Sequence, residues 1–320
     1  MRTIAVFVEN RPFFGALLVH VPLLHALRGR QPDARLVLYA PFPQARMLVE
    51  AGAADEAVVY AGRFAQVLGA LRRSRPDEVL VLRPASRWLD LAVAAARVPV
   101  SAGYASWLGR MLYTRAVPHD TGIYRPRKYL TLVMGRTEAM RAPLDAWFRP
   151  LAPTASLDTS AWARTLAVLP GGGAGDFKRW GVERFLALCE RLAAEDALLR
   201  FGWVLGPQEA DWRERIGASP VAGRSEILFD RPLADLAAAA FAARAAVGND
   251  CGPGHVFQMC GCPFACVMSD HDRNGAVRAA EWIDAANRTF ATLSPPGEPI
   301  GAVGVEPVLR QVRAALGASG

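Results

Sequence analysis

The chain has 320 residues, 52% of them apolar and 21% charged, which is enough for about two domain cores and excludes both a staple-dependent mini-fold and a disordered chain. The net charge of +7 is unevenly spread: residues 1–155 hold 21 Lys+Arg against 11 Asp+Glu, and residues 156–320 hold 16 against 19. Either an arginine-rich composition has fallen unevenly over a solvated surface, or the first half meets a polyanion. The arginines are scattered and not interleaved with aromatics, so the sequence favours an acidic membrane or lipid-linked partner over nucleic acid.

Residues 1–8 are followed by Glu9, Asn10 and Arg11 before an apolar core of signal-peptide length accumulates, so they read as a first buried strand. The first half then alternates strands at 3–8, 35–39, 57–60, 78–82 and, more weakly, 98–103 with helices at 15–29, 43–52 and 63–74. Pro22 is expected to bend the first helix. From 104 to 160 the pattern loosens, with one helical portion near 127–140, and the domain boundary is placed near 155. The second half restarts with strands at 165–169, 201–205, 226–229, 245–248 and 263–268. Its helices are expected at 181–194, 209–216, 232–243, from 252, and at 305–316. The apolar stretches 14–27 and 233–248 carry polar interruptions, and neither supplies the roughly 20 apolar residues of a membrane span. The fold class expected is α/β, two doubly wound parallel-sheet domains.

Ligands bind outside the carboxyl ends of the strands in such sheets, so the loops there matter most. In the second half they read PGGGAGDFKRWG from 170, GPQEAD from 206, GNDCGPGH from 248 and SDHDRNG from 269. The first, with Gly172 and Gly173 leading to Lys178 and a helix, has the parts of a phosphate cradle without the order of a Walker loop or a dinucleotide fingerprint. Lys178 is one of only two lysines among 37 basic residues, a compact ammonium where a phosphate could be met. In the third loop Asp250 is either an N-cap or a ligand contact, and Gly252 keeps the backbone uncrowded. His255 is either a phosphate donor or a satisfied core histidine.

Five cysteines, four of them between 251 and 266, lack the paired spacing of a structural zinc site and read as small apolar filler. The odd number in a long chain points to a reducing cytoplasm rather than a disulfide framework. Asp270, His271 and Asp272 are adjacent on a loop and should point apart, so no metal and no cofactor are expected.

The stretches GALLVHVPLLHALRGRQPDARLVLYAP from 15, LPGGGAGDFKRWGVERFLALCERL from 169 and VGNDCGPGHVFQMCGCPFACV from 247 resemble the motifs of glycosyltransferase family nine, the heptosyltransferase-type bacterial enzymes. Two of those motifs are P-G-x-x-x-x-K-x-W-P-x-x-x-F and N-D-[ST]-G-x-x-H-x-x-x-x-x-G-x-P. The resemblance implies a GT-B fold, with two Rossmann-like domains facing a central cleft. It also implies metal-independent, inverting transfer of a sugar, typically a heptose from ADP-heptose, to a lipopolysaccharide-core or other lipid-linked acceptor. By position, Lys178 would meet a donor phosphate and Glu209 the ribose or base. Asp250, Cys251, Gly252 and His255 would border the diphosphate and sugar, and the basic first domain would receive the acceptor.

Two departures stand out. The family's aspartate after the first helical glycine, implied to be the general base, is replaced by Ala16. A positioned base contributes about 10²–10⁴ in rate, or about 3–5 kcal/mol, so another group must supply it. Glu9 is the replacement candidate unless it is tied to an arginine such as Arg11, and His20 is a second. Cys251 replaces the usual Ser or Thr. A catalytically weak or non-catalytic relative that binds a nucleotide sugar is therefore the alternative. A dehydrogenase is disfavoured because ENRPFFGA follows the first strand where a glycine fingerprint would stand.

Overall fold

The computed structural model describes residues 1–9, 11–60, 62–84, 86–173 and 175–317; Asn10 and Ala174, which fall in two of the loops singled out above, lie outside them. The chain divides into two compact units, Met1–Thr121 with Arg125–Pro143, and Gly122–Tyr124 with Leu144–Gly320. The segment 144–155, on the first-half side of the boundary expected from sequence, packs on the second unit. There its one-turn helix Ala152–Thr154 lies on a helix of that unit, and Arg149 stands over the Phe241 ring at 5.6 Å.

The first unit runs β1 (Thr3–Phe7), α1 (Phe14–Leu18), α2 (Val21–Arg30), β2 (Arg35–Ala40), α3 (Arg46–Glu50), β3 (Glu56–Val59), α4 (Phe64–Ser74), β4 (Glu78–Val81), α5 (Arg87–Ala96), β5 (Val100–Tyr104), α6 (Gly109–Leu112), β6 (Arg115–Val117), α7 (Arg125–Leu130) and α8 (Arg136–Arg141). Its sheet is parallel in the order β3-β2-β1-β4-β5-β6. β1 lies between β2 and β4, with Ala5 opposite Val37 and Val79. Covered on both faces, it is apolar and inaccessible from Ile4 to Phe7. The expected single helix over 15–29 is instead two, separated at Val19 and His20, and Pro22 lies in the first turn of α2. Proline is tolerated there because its missing N–H has no helical partner to serve, so it helps start the helix rather than bend it.

The second unit runs β7 (Thr165–Leu169), α9 (Val182–Glu195), β8 (Arg200–Leu205), α10 (Trp212–Gly217), β9 (Ser225–Phe229), α11 (Leu233–Ala242), β10 (Ala245–Asn249), α12 (Gly252–Met259), β11 (Phe264–Met268), α13 (Gly275–Trp282), β12 (Thr289–Leu293) and α14 (Val305–Gly317). Its parallel sheet has the order β12-β11-β10-β7-β8-β9. Each unit thus winds out one way for three strands and returns to the other side of its first strand, the doubly wound order. Trp180, Phe185, Phe201 and Trp203 are completely buried in its core together with Leu309 and Val312 of α14. The Trp180 indole is satisfied by the Val303 carbonyl at 2.7 Å. Unexpected from sequence were the outermost strands β6 and β12, and helices α5 and α13.

Candidate functional site

The order of the second sheet reverses between β7 and β10, which are direct neighbours with Gly248 opposite Leu169. The loops leaving their carboxyl ends are therefore side by side, at the place where doubly wound sheets bind ligands. Gly248 is required by this close pairing: a Cβ there would lie 2.4 Å from the Leu169 carbonyl oxygen.

Asn249, fully buried, ties the two loops together. Its amide donates to the carbonyls of Pro170 at 2.6 Å and Gly171 at 3.2 Å, and its carbonyl accepts the Trp180 N–H at 3.2 Å. The glycine loop is shaped from within by Arg179, whose Cγ would be 2.7 Å from a Cβ on Gly172, whereas Gly173 faces open space. Gly175 has φ 122°, a conformation that side chains disfavour.

Lys178, at the end of a one-turn helix in this loop, places Nζ 2.5 Å from Oδ2 of Asp250. His255, one turn into α12, directs Nε2 to the other carboxylate oxygen at 3.6 Å. Its Nδ1 meets the Tyr124 hydroxyl at 3.3 Å, and its ring packs 5.2 Å from that of Trp282. Burial pushes the Asp250 carboxyl up, but the neighbouring His255 ring and the Lys178 ammonium outweigh it and hold Asp250 well below the usual carboxylate range. Asp250 is not the cap of α12; the N-cap is Cys251, and Gly252 is the first helical residue. The Cys251 thiol faces the Leu169 carbonyl at 3.7 Å, and burial pushes it up to about 12, so at neutral pH it is a protonated packing group.

Glu209 is buried and turned into its own loop. Oε2 accepts the Gly206 N–H at 3.1 Å and Oε1 pairs with Arg179 at 3.2 Å, while Arg179 also reaches Gln208 at 2.7 Å and Asp176 at 3.1 Å. The Glu209 carboxylate still lies against the cradle, 3.5 Å from where a Cβ on Gly171 would stand. The loops after β7, β8 and β10 thus converge, and Lys178, Asp250 and His255 meet as one chain of contacts.

Beside the Lys178–Asp250 pair is a recess of about 20 Å³ lined by Phe177, Ser269, His271 and Arg278, room for about one oxygen-sized group. His271 is held by the Ser269 hydroxyl at 3.0 Å and by the Phe177 ring at 5.3 Å. Asp270 turns away to accept the Gly275 N–H at 2.5 Å, and Asp272 pairs with Arg278. Among the described residues no three His, Cys, Asp or Glu side chains are grouped as metal ligands, and all five cysteines are free and buried.

Arg179, Asn249, Tyr124, Trp282 and His271 complete the site without having been assigned to it from sequence. Asn249 and Arg179 adjoin assigned residues in the chain, whereas Tyr124 and Trp282 come from segments that carried no motif.

In the first unit the loop after β1 brings Glu9 and Ala16 to the carboxyl edge of the sheet. Glu9 is buried, and its carboxylate is engaged by Arg125 and, at 3.5 Å, by Arg11; Tyr129 adjoins the Arg125 guanidinium at 3.5 Å. The arginine pairing left open for Glu9 from sequence is therefore present. His20 is buried with Nδ1 3.0 Å from the Leu17 carbonyl and its ring stacked on Tyr129 at 4.8 Å. Burial lowers it to about 4, against opposing effects of Glu9 and the backbone, so it is neutral at pH 7.

No protein-family model matches the chain, and no curated protein matches it in sequence. Solved structures do. Escherichia coli heptosyltransferase WaaC with ADP-2-deoxy-2-fluoro heptose superposes with a TM-score of 0.68 at 17% identity, covering 98% of this chain and 99% of that one. The glycosyl transferase family 9 protein of Veillonella parvula gives 0.67 at 16%, covering 99% and 98%. Escherichia coli ADP-heptose lps heptosyltransferase II gives 0.64 at 19%, covering 99% of each. At these identities the likeness establishes the two-sheet GT-B fold.

Proposed function

We propose that this chain is a glycosyltransferase whose second unit binds a nucleoside diphosphate sugar, ADP-heptose being favoured, and whose basic first unit receives an anionic glycan or lipid-linked acceptor. The observation that carries the proposal is the meeting of Lys178, Asp250 and His255 beside a glycine loop at the switch point between β7 and β10. Negative charge grows on the departing diphosphate as the glycosidic bond breaks, so an ammonium and loop amides already in place stabilise that state more than the ground state. Asp250 holds Nζ in position, and His255, fixed between Tyr124 and Trp282, holds Asp250. The reading has transfer proceed with inversion and draws on Lys178, without a metal, to meet the diphosphate's charge. It places the protein in the cytoplasm, against the inner face of a membrane. No helix among the described residues is long and apolar enough to cross one.

A second reading, that the chain binds a nucleotide sugar with little or no transfer, is favoured by Ala16 and by the engagement of Glu9 with Arg125 and Arg11. Calorimetry with ADP, UDP and ADP-heptose, followed by a nucleotide-release assay over anionic and neutral glycan acceptors, tests both. Binding with acceptor-dependent release supports transfer, and binding without release supports the second reading. Failure to bind any nucleotide overturns both.

A further inference from the structure

The amino edge of the first sheet carries a basic groove with no part in the chemistry above. α4 and α5 pack side by side and end at this edge, at Arg75 before β4 and at Arg97 before β5. A groove of about 480 Å³ opens between their last turns, lined by Arg72, Arg75, Asp77 and Arg97 among others. All three arginines are exposed, and among the described residues none has an ion pair or a side-chain hydrogen bond. Asp77 is partly engaged elsewhere, accepting the Thr3 N–H at 2.8 Å.

The backbone supplies a second, independent observation. Arg75 and Arg97 both lie in the left-handed region, at φ 43° and 54°, where helices ordinarily end in glycine and a Cβ is disfavoured. Arginine stands at both caps of the same groove. Attraction to the helix ends does not absorb the charge. Two ends of about −0.5 each and one carboxylate, set against three guanidiniums, leave about one positive charge.

We propose that this groove is a binding site for a phosphate-bearing ligand, a lipid headgroup or a soluble diphosphate, held by guanidinium forks that match phosphate oxygens. Its volume falls in the range of small-ligand sites.

The test compares the full chain with Arg75→Gly/Arg97→Gly, which puts glycine where the backbone favours it and should leave Tm unchanged or higher. Arg72→Ala, inside α4, is a second variant that alters neither cap. Inorganic pyrophosphate is titrated by calorimetry, and co-sedimentation is measured with phosphatidylcholine vesicles with and without phosphatidylglycerol. The double variant should bind about tenfold or more weakly, and Arg72→Ala about threefold or more weakly, in at least one assay. Loss with pyrophosphate assigns a soluble ligand, and loss with the anionic vesicles assigns a headgroup. The difference between proteins isolates the groove from the Lys178 site. Equal binding by wild type and both variants in both assays overturns the proposal.

Discussion

Lys178 and Asp250, 72 positions apart in the chain, meet at 2.5 Å with side chains 27% and 8% exposed. The contact joins the glycine loop after β7 to the loop after β10 and leaves one flank of the ammonium on the recess lined by Ser269 and His271. A cation fixed by a carboxylate and still approachable from outside is suited to an anionic group that arrives and leaves.

Lys178→Ala removes that cation. If it stabilises a departing diphosphate, kcat for nucleotide release should fall by about 10²–10³. Stability should fall too, because Asp250 stays buried without its partner. Lys178→Arg keeps the charge but not the compact head, and should restore Tm more than kcat. Steady-state kinetics and thermal melts on the three proteins read this, and a kcat within twofold of wild type in Lys178→Ala would remove the role.

Asp250 makes a pH prediction with a definite sign. Its folded carboxyl is held below the ordinary 3.8, so between the folded and unfolded values the unfolded chain binds more protons. The stabilisation is complete above about pH 4 and is lost as pH falls further. Asp250→Asn should therefore be less stable than wild type at pH 7, by an amount of order 1–3 kcal/mol, with the gap narrowing below pH 4. Urea denaturation at pH 7, 4 and 3 measures the gap, and a difference that stays constant would contradict the assignment.

The central strands and the loops after them were readable because burial on both faces makes β1, β4, β7 and β10 near-continuous apolar runs, followed by loops where glycine and charge gather. β6 has only three residues and β12 is mostly half-buried, so neither carries such a run. Lys178, Asp250 and His255 could be picked out because each lies in a strand-end loop or in the first turn after it. Their mutual contacts could not, since spacing along the chain does not say which side chains of two loops turn towards each other. Tyr124 is the clearest case: it reaches His255 across 131 positions, from the stretch after 104 where the strand–helix alternation loosens and no motif stands.

His20 adds a second pH effect in a different window. It is lowered from 6.5 to about 4, so the folded state binds fewer protons than the unfolded between those values. The contribution is present in full above about pH 6.5 and is lost as pH falls towards 4, amounting to roughly 3 kcal/mol over the window. His20→Phe keeps a ring against Tyr129 but cannot titrate. Relative to this variant, wild type should lose about that much stability between pH 7 and 4 in urea denaturation, and parallel pH profiles would refute it.

Glu9→Gln separates structure from catalysis at the carboxylate offered in place of the base missing at Ala16. With Arg125 and Glu9 both buried, removing the charge of this carboxylate breaks a buried ion pair, which typically costs about 3–5 kcal/mol. A general base instead contributes about 10²–10⁴ in rate, with no required effect on stability. Because Arg125 already engages this carboxylate, the expected outcome is a clear drop in Tm while kcat per folded molecule stays within about tenfold of wild type. Arg125→Met with Glu9→Gln should recover part of the lost Tm, since it replaces both halves of the buried pair with uncharged groups. A fall of 10² or more in kcat at unchanged Tm would give Glu9 the proton-accepting part that its position after β1 first suggested.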